Sequence, residues 1–351
     1  MGKIIYLTKY TSLGASSRLR SIQFIPFLQK KGYKVSYSAL FGDNYLKALY
    51  SNKKIKNLYL LLGYLRRFIQ LFSLHKFDVV IIEKELFPYL PAWVEIIIKK
   101  IGINYFVDYD DAIFHNYDLS QNKLIKRLLS NKIDLVMKNS KTVFAGNSYL
   151  AKRAISASAP KTIILPTVID INKYIFMDNK DPMSFVLGWI GSPSTYKYIE
   201  ELFPVFYNLK EKYTNFYVNI IGAKLEHEKK DFINFIPWSE STEVKEINKF
   251  DLGIMPLHET PWELGKCSYK LIQYMGCGVA VLASPVGMNN DVVIDNYNGE
   301  LVQNGNWFTY IQGYIEDVAK LREQGLKGRD LVETKFNIHR NLEIIIDAIE
   351  N

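Results

Sequence analysis

The sequence predicts an α/β protein built from two doubly wound domains. The chain has 351 residues, 48% of them hydrophobic, which is globular in composition but too long for one ordinary core. Short apolar runs alternate with longer helical patterns, as is typical of buried parallel strands joined by crossover helices. This alternation restarts in the second half of the chain, so each half requires a sheet of its own.

Twelve apolar runs are candidate strands, six in each half of the chain. The first six are residues 3–7, 34–39, 79–83, 104–108, 142–145 and 162–165. The second six are residues 185–190, 217–221, 233–236, 252–255, 279–283 and 299–302. They alternate with helical patterns in the order that a doubly wound sheet requires.

The domain boundary is expected within residues 166–182, where turn-prone residues interrupt the periodicity. These residues are Asp178, Asn179, Lys180 and Asp181. The last helical pattern, residues 338–349, has no strand after it, so we expect this helix to return to the first domain. The predicted domains are therefore residues 1–168 together with 337–351, and residues 169–336.

Charge and cysteine content restrict the possible partners and compartments. Residues 1–165 contain 26 Lys and Arg against 10 Asp and Glu, whereas the remainder contains 18 against 26. The basic half should face an anionic partner. Cys267 and Cys277 lack metal-ligand spacing, which argues against a zinc site and a disulfide framework. Without a signal sequence or a long apolar run, we expect a cytoplasmic protein.

A basic stretch without acidic residues runs from Tyr45 to Lys76. Its basic residues are Lys47, Lys53, Lys54, Lys56, Arg66, Arg67 and Lys76, and apolar residues lie among them. One interpretation is a basic amphipathic helix at an anionic membrane surface, on the inner face of the plasma membrane. The alternative is a helix that buries its apolar stripe on the sheet and keeps its lysines in water.

The most informative segment is residues 251–302, which predicts a strand, a loop, a helix opening near Gly265 and a second strand. The backbone N–H groups of such a unit point at an anion beyond the strand. Lys266 and Lys270 are four residues apart, so on the first turns of that helix they would share one face. Two ammonium groups and a helix N-terminus can hold a diphosphate without a metal. A solvated lysine pair is the alternative.

Two strand-to-helix turns are further candidate anion sites. Gly191 would give room for backbone approach, and Ser192, Ser194 or Thr195 would cap the next helix. In the first such turn, Gly14 would let the loop approach a phosphate, and Arg18 or Arg20 could pair with its oxygens. The alternatives are simple capping at Ser192, and a turn glycine with surface arginines in the first loop.

Acidic residues cluster after the strand predicted at residues 104–108. They are Asp108, Asp110 and Asp111, followed by His115. Adjacent carboxylates repel one another unless cations or hydrogen bonds intervene. The cluster therefore indicates a binding site. The alternatives are helix capping and an Asp-x-Asp metal site at Asp108 and Asp110.

The run GKCSYKLIQYMGCGVAVLASPVGMN, followed by NYNGELV, resembles the donor-site signature of the family-four retaining GT-B glycosyltransferases, the glycosyl transferases group 1. Further motifs match in order: SRLRS, VDYDDAIFH, AGNSYLAKRA, LPTVIDINKY and LGWIGSPSTYKYIEEL. The resemblance spans nearly the whole chain. It implies two Rossmann-like domains facing a cleft, with the acceptor bound by the first domain and a nucleotide sugar by the second.

The resemblance also implies roles for individual residues. Lys266 and Lys270 would contact the donor diphosphate, and Glu263 would lie near the transferred sugar. On the acceptor side, we expect Asp110 or Asp111 to bind or activate the acceptor hydroxyl, and His115 to hydrogen-bond the acceptor or donor sugar. Gln273 stands where many relatives carry a carboxylate for the ribose, and Trp238 follows a strand end where relatives hold the base. One departure is that many relatives have two glutamates separated by seven residues, whereas the position eight beyond Glu263 is Leu271.

The implied activity is transfer of a sugar from a UDP or GDP donor to a glycan acceptor, with retention of configuration and without a metal or another cofactor. Bacterial polysaccharide assembly would add a lipid-pyrophosphate-linked acceptor at an anionic membrane surface. The alternatives are a metal-dependent Asp-x-Asp glycosyltransferase, a sugar-nucleotide epimerase, a phosphorylase and a nucleic-acid-binding protein. Nucleic acid is not an expected partner, because the sequence shows no signature of nucleic-acid recognition.

Overall fold

The computed structural model describes residues 2–50, 57–177, 183–223 and 231–351. The chain divides into two compact units. The first comprises Met1–Thr167, Leu264–Cys267 and His339–Asn351, and the second comprises Val168–Glu263 and Ser268–Ile338. The linker residues predicted at Asp178, Asn179, Lys180 and Asp181 lie outside the described residues.

The first unit contains a six-stranded parallel sheet. Its strands are β1 (Lys3–Tyr10), β2 (Lys34–Phe41), β3 (Val79–Glu83), β4 (Tyr105–Tyr109), β5 (Thr142–Ala145) and β6 (Thr162–Ile164). They lie in the order β2–β1–β3–β4–β5–β6, with Ile5 paired to Val80 and Ile82 to Val107. The central strands β3 and β4 are buried along their whole length, because helices cover both faces of a doubly wound sheet.

Helices connect these strands. They are α1 (Ala15–Arg20), α2 (Ile25–Lys30), α3 (Asp43–Tyr50), α4 (Asn57–Leu71), α5 (Trp93–Lys100), α6 (His115–Asp118), α7 (Lys123–Leu129), α8 (Lys132–Asn139) and α9 (Ser148–Ser156). Short 3-10 helices occupy Ile22–Phe24 and Leu74–Lys76. None of the helices among the described residues is long and apolar enough to cross a membrane.

The second unit repeats this architecture with a sheet of its own. Its strands are β7 (Phe185–Ile190), β8 (Phe216–Ile221), β9 (Ile233–Ile236), β10 (Leu252–Met255), β11 (Ala280–Ala283) and β12 (Gly299–Leu301), in the parallel order β12–β11–β10–β7–β8–β9. Trp189, Phe206 and Ile254 are among the fully buried side chains of its core. Because each sheet has its own core, the prediction of two doubly wound domains is confirmed.

The helices of the second unit are α10 (Tyr196–Glu200), α11 (Phe203–Lys212), α12 (Glu243–Ile247), α13 (Pro261–Leu264), α14 (Tyr269–Gly276), α15 (Asn289–Val292), α16 (Trp307–Glu316) and α17 (Val318–Lys335). Leu264, at the end of α13, already belongs to the first unit. Further 3-10 helices occupy Pro193–Thr195 and Gln303–Gly305.

The last helix, α18 (Ile338–Glu350), belongs almost entirely to the first unit. The ring of His339 packs edge-on against Phe27, with ring centroids 5.2 Å apart. Lys31 pairs with Glu343 at 3.0 Å, and Asn341 donates a hydrogen bond to the carbonyl of Pro166. Leu342 and Ile345 are buried, so this helix completes the core of the first unit.

Helix α4 does not follow the interpretation in which its apolar stripe packs on the sheet, and contact with a membrane stays a prediction. The described part of the basic stretch does not bury its apolar stripe: Leu58, Leu61 and Leu65 are exposed. Arg67 is buried instead and donates hydrogen bonds to the carbonyls of Thr8 and Ser38, so its charge cannot meet a lipid surface. The predicted lysines Lys53, Lys54 and Lys56 lie outside the described residues.

Candidate functional site

The polar side chains of the first unit gather where strands β1, β3 and β4 end. These strands are neighbours in the sheet, so the residues that follow them share one edge. Ligands of open α/β sheets bind beyond this carboxyl edge. The acidic residues predicted after β4 lie there, together with basic groups from α1 and from the end of β3.

Asp108 forms a buried ion pair with Arg20. The guanidinium donates to both carboxylate oxygens, with its Nε 2.9 Å from Oδ2 and its Nη2 2.6 Å from Oδ1. Both side chains are almost inaccessible to solvent. The Asp-x-Asp interpretation requires Asp108 to bind a metal ion. In this arrangement both of its carboxylate oxygens are instead engaged by Arg20. Metal independence itself stays a prediction.

Lys84 neutralises the other two carboxylates of the cluster. Its ammonium lies 2.8 Å from Asp110 and 3.3 Å from Asp111. Burial opposes the charge on Lys84, but the two carboxylates outweigh it and raise the pKa of the ammonium. Burial likewise disfavours charged Asp110, but Lys84 outweighs it and lowers the pKa of Asp110 to about 2. The sequence analysis missed Lys84, although it directly follows a predicted strand.

Lys266 contacts the same cluster, since its ammonium donates to Asp111 at 3.0 Å. The short segment Leu264–Cys267 is part of the first unit because Asn147 holds it there. The side-chain amide of Asn147 donates to the carbonyls of Leu264 and Lys266, and its oxygen caps α9 by accepting from the N–H of Leu150. Asn147 is therefore both a helix cap and an anchor for the segment that carries Lys266.

The prediction that Lys266 and Lys270 share one helix face is wrong. Helix α14 begins only at Tyr269, and Ser268 before it has a left-handed backbone with φ of 49°. The helical path is interrupted because Leu264–Cys267 is bonded to the first unit. Lys266 lies before the helix and pairs with Asp111, while Lys270 lies on the first turn of α14.

His115 lies at the start of α6 and is held on both sides. Its Nδ1 is 2.8 Å from Asp118, and its Nε2 is 2.8 Å from the hydroxyl of Tyr149. Asp118 also accepts from Arg153, so the imidazole belongs to a small polar network. These contacts fix the ring orientation. A hydrogen bond from His115 to a sugar stays a prediction.

The first strand-to-helix turn is closely packed. A side chain at Gly14 would collide with Tyr10, so packing alone explains why this residue is a glycine. Arg18 donates to the carbonyl of Ser12 in the same turn. Beneath it, Ser17 donates to the buried carboxylate of Glu83 at 2.6 Å. The phosphate roles suggested for Gly14 and Arg18 stay predictions.

In the second unit, the turn after β7 is closely packed. A side chain at Gly191 would collide with Trp189 and Thr195. Ser192 is the N-cap residue of the following 3-10 helix, and its N–H donates to the hydroxyl of Thr195 at 3.2 Å. The nearby Gly222 has φ of +87° and lies against the carbonyl of Gly191. The backbone after β7 is thus fixed at the carboxyl edge of the second sheet.

Lys270 is positioned by a buried aromatic ring. Its ammonium lies 4.8 Å from the ring centroid of Trp189, which is completely buried on β7. A cation over the face of an indole is stabilised by the ring's quadrupole. Trp189 thereby holds the charge of Lys270 at the start of α14.

Gln273 and Trp238 are joined by a network that the sequence did not reveal. Gln273 is buried rather than a surface amide, and it donates to the hydroxyl of Tyr174 at 2.9 Å. Tyr174 in turn donates to Glu243 at 2.8 Å, and the indole N–H of Trp238 donates to the other oxygen of Glu243 at 2.7 Å. Tyr174 and Glu243 therefore position two predicted donor-binding residues.

Glu263 is buried between two hydroxyl donors, Tyr198 and Thr260. Burial opposes ionisation of the carboxyl, but these hydrogen bonds outweigh it and lower the pKa of Glu263. The charge of Lys197 acts in the same direction. Lys197 was not predicted, although it occurs in the quoted motif LGWIGSPSTYKYIEEL. Glu263 is therefore ionised at neutral pH.

A cavity of about 360 Å³ opens where β10, β11 and β12 end. Tyr198, His258, Ser284 and Trp307 are among its lining residues. Tyr198 links the cavity to Glu263 through its hydroxyl. Its position at the carboxyl edge of three neighbouring strands is typical of a ligand site. The sequence analysis did not single out His258, because nothing in its local pattern indicates a ligand.

Comparisons with known proteins agree with this architecture. Residues 184–319 match the family model described as glycosyl transferases group 1. No curated protein matches the chain by sequence.

Several solved structures are similar over the whole chain. Sucrose-phosphate synthase from Thermosynechococcus elongatus has a TM-score of 0.74 at 15% identity and covers 99% of this chain and 98% of its own. The Anabaena protein HepE in complex with UDP has a TM-score of 0.73 at 14% identity, with both chains covered completely. A glycosyltransferase from Rickettsia africae has a TM-score of 0.70 at 12% identity and covers 99% of this chain and 98% of its own. The chain thus has the GT-B fold, and the family match over its second half supports a glycosyltransferase.

Proposed function

We propose that the protein transfers a sugar from a nucleotide diphosphate donor, of the UDP or GDP type, to a glycan acceptor. The residues that carry this proposal, except Tyr174, lie within the region that matches the family model. There, one compact unit holds the ammonium of Lys270 over Trp189 together with the buried Gln273–Trp238 network. The UDP complex of the structurally similar HepE supports a nucleotide donor.

In this proposal, the second unit binds the donor. Lys270 neutralises charge that develops on the departing diphosphate, and the turn at Gly191 and the hydroxyl of Ser192 contact the donor beside it. Gln273 and Trp238 contact the ribose and the base. Glu263, which is ionised, accepts hydrogen bonds from hydroxyls of the transferred sugar.

The first unit binds the acceptor. Asp110 and Asp111 accept a hydrogen bond from the acceptor hydroxyl, and His115 contacts the sugar. Lys266 adds positive charge for the diphosphate, as does Arg18 from the first loop, and Gly14 lets that loop approach it. These groups converge on the carboxyl edge of the first sheet, where ligands of α/β folds bind.

The proposed chemistry retains the anomeric configuration. The acceptor oxygen forms a bond to the anomeric carbon on the face from which the diphosphate leaves, as the bond from that carbon to the phosphate oxygen breaks. The hydroxyl proton passes to the departing phosphate. Lys270 stabilises the leaving group, so the step requires no metal ion. Activity should therefore survive EDTA, whereas loss of activity restored by manganese would favour the metal-dependent alternative.

The experiment that tests the activity is saturation-transfer NMR with a panel of UDP- and GDP-sugars, followed by product analysis with glycan acceptors. A transferase forms a glycoside and a free nucleoside diphosphate, and the NMR coupling of the new anomeric proton reports retention. An altered sugar formed without an acceptor would indicate an epimerase. A reaction that requires inorganic phosphate would indicate a phosphorylase. Either result, or failure of every nucleotide sugar to bind, would overturn the proposal.

We further propose that the acceptor is linked to a lipid in an anionic membrane, in the assembly of a bacterial capsule, O-antigen or related polysaccharide. The excess of 26 basic over 10 acidic residues in residues 1–165 supports contact with the cytoplasmic face of such a membrane. Lys53, Lys54 and Lys56 would contribute to this attraction. Their combined replacement by glutamine should weaken salt-sensitive co-sedimentation with anionic vesicles.

A further inference from the structure

Helix α4 turns Arg67 inward and exposes a stripe of apolar side chains. Gly63 allows the helix to lie directly against the carbonyl of Leu40, and the buried Arg67 is bonded to strand carbonyls. Leu61, Leu65 and Ile69 are 66%, 53% and 61% exposed. Residues four apart lie on one helix face, so these side chains form a single apolar surface. A contiguous surface of this kind marks an interaction site.

Two other helices of the first unit repeat this arrangement. On α5, Trp93 and Ile97 are exposed, and on α7, Leu124 and Leu128 are exposed. Each pair is again spaced by four residues. We refer to these exposed faces of α4, α5 and α7 as the apolar belt.

Two contacts made by tyrosine side chains connect the parts of the belt. The hydroxyl of Tyr64 on α4 donates to the carbonyl of Pro88, in the loop that leads to α5. In the same loop, the ring of Tyr89 packs edge-on against Tyr117 of α6, with centroids 5.6 Å apart, and α6 leads directly into α7. Tyr89 is 57% exposed. The three helices are therefore linked through one loop within one unit.

The exposed charges on the three helices of the belt are all positive. Helices α4 and α7 contain no acidic residue. The only carboxylate of α5, Glu95, is buried and accepts a hydrogen bond from the N–H of Leu86. The exposed charges of the three helices are basic and include Arg66, Lys100, Lys123, Lys126 and Arg127.

We infer that the apolar belt inserts into the interfacial region of an anionic lipid bilayer. Apolar side chains with interspersed Lys and Arg, together with exposed Trp and Tyr, are the composition that this region favours. A second copy of the chain docked on the same surface would bring basic residues together, which is unfavourable. The inference rests on the proposed function, because it specifies how the first unit would reach a membrane-linked acceptor.

Co-sedimentation of the full-length protein with vesicles tests this inference. We expect binding to vesicles that contain phosphatidylglycerol, and a fraction of it should persist in high salt because apolar insertion is not screened. The double variant Leu61→Ser and Leu65→Ser leaves the charge unchanged. It should weaken partitioning by at least about tenfold, since two leucines no longer enter the apolar phase. The matched control is Val318→Ser with Leu326→Ser, two exposed apolar positions on α17 of the second unit.

A fluorescent label gives a second measurement. The native cysteines Cys267 and Cys277 are buried, so a polarity-sensitive dye attaches selectively to an introduced Leu61→Cys. The emission should shift to the blue when vesicles are added. The same dye on Leu326→Cys should not respond.

Three outcomes would overturn the inference. They are no vesicle binding by the wild type, equal binding by the Leu61 and Leu65 variant, and wild-type self-association that the same variant abolishes. The last would identify a second copy as the occupant. Nucleotide-sugar binding and transfer to a small soluble acceptor should be the same in this variant and the wild type. These measurements distinguish failure of the membrane inference from failure of the transferase proposal.

Discussion

Individual side chains carry most of the proposed chemistry, and their partners determine what each can do. Asp108 is bound by Arg20, and Asp110 and Asp111 are neutralised by Lys84, so the acidic cluster is a network of ion pairs. Lys270 is different, because a buried indole orients its charge. We therefore propose that Lys270 has the electrostatic role in catalysis.

Replacing Lys270 by Ala should abolish measurable turnover and weaken binding of the nucleoside diphosphate. Loss of one member of a charge-assisted contact costs roughly 2 kcal/mol or more. Calorimetric titration with UDP and GDP measures the binding change, and circular dichroism checks the fold. Lys245→Ala, at an exposed position on α12, is the control. Wild-type turnover in the Lys270 variant would disprove the donor-site assignment.

The Asp110–Lys84 pair makes stability depend on pH. The pKa of Asp110 is about 2 in the folded protein, below the ordinary value of 3.8. A carboxyl with a lowered pKa stabilises the folded state above its ordinary pKa, and this contribution is lost as the pH falls toward the folded value. The difference in unfolding free energy between wild type and Asp110→Asn should therefore shrink as the pH falls from 5 to 3. Urea unfolding across this range measures it, and a constant difference would contradict the role of the pair.

At the scale of elements, the break between α13 and α14 determines where the two predicted lysines lie. The left-handed backbone of Ser268 ends the helical path, and Asn147 bonds the preceding segment to the first unit. A side chain at Gly265 would collide with Ala112, so this segment lies directly against the backbone that follows the acidic cluster. One anchor thereby controls the position of Lys266.

Changing Asn147 separates its two roles. Ser at this position can still cap α9 but cannot donate to Leu264 and Lys266, whereas Ala does neither. We expect kcat/KM to fall in both variants, because Lys266 loses its support. Ala should cost about 1 kcal/mol more in unfolding free energy than Ser, owing to the lost cap. Chemical unfolding and steady-state kinetics measure both effects, and full activity of the Ser variant would refute the anchoring role.

At the scale of the whole molecule, the last helix of the chain supports the first unit. Ile345 is buried in α18, whereas the ion pair between Glu343 and Lys31 is largely exposed. Stability of the first unit should therefore depend on apolar packing of α18 far more than on its charges.

The variant Ile345→Ala should lose roughly 2–5 kcal/mol of unfolding free energy, because a buried aliphatic side chain leaves a cavity. Glu343→Ala should lose less than about 1 kcal/mol, since an exposed ion pair contributes little. Thermal and urea unfolding measure both. Equal effects would mean that α18 is not part of the core.

The sequence by itself determined the two-sheet architecture. All twelve predicted strands are present, with ends displaced by at most three residues. Strands of a parallel sheet are buried on both faces, so their sequences are continuous apolar runs that are visible without knowledge of the pairing. Local patterns also identified the edge of each sheet where polar residues cluster, because these residues directly follow the strands.

Only the tertiary structure decided which side chains meet. Lys84 pairs with Asp110 from 26 residues away, and Arg20 pairs with Asp108 from 88 residues away. Tyr174 reaches Gln273 across 99 residues. Helical periodicity predicted one face for Lys266 and Lys270, yet bonds from Asn147 to the segment before α14 override local propensity. The orientation of α4 was undecided for the same reason. An amphipathic pattern fixes which residues share a face, whereas Arg67 and Gly63 determine which face meets the sheet.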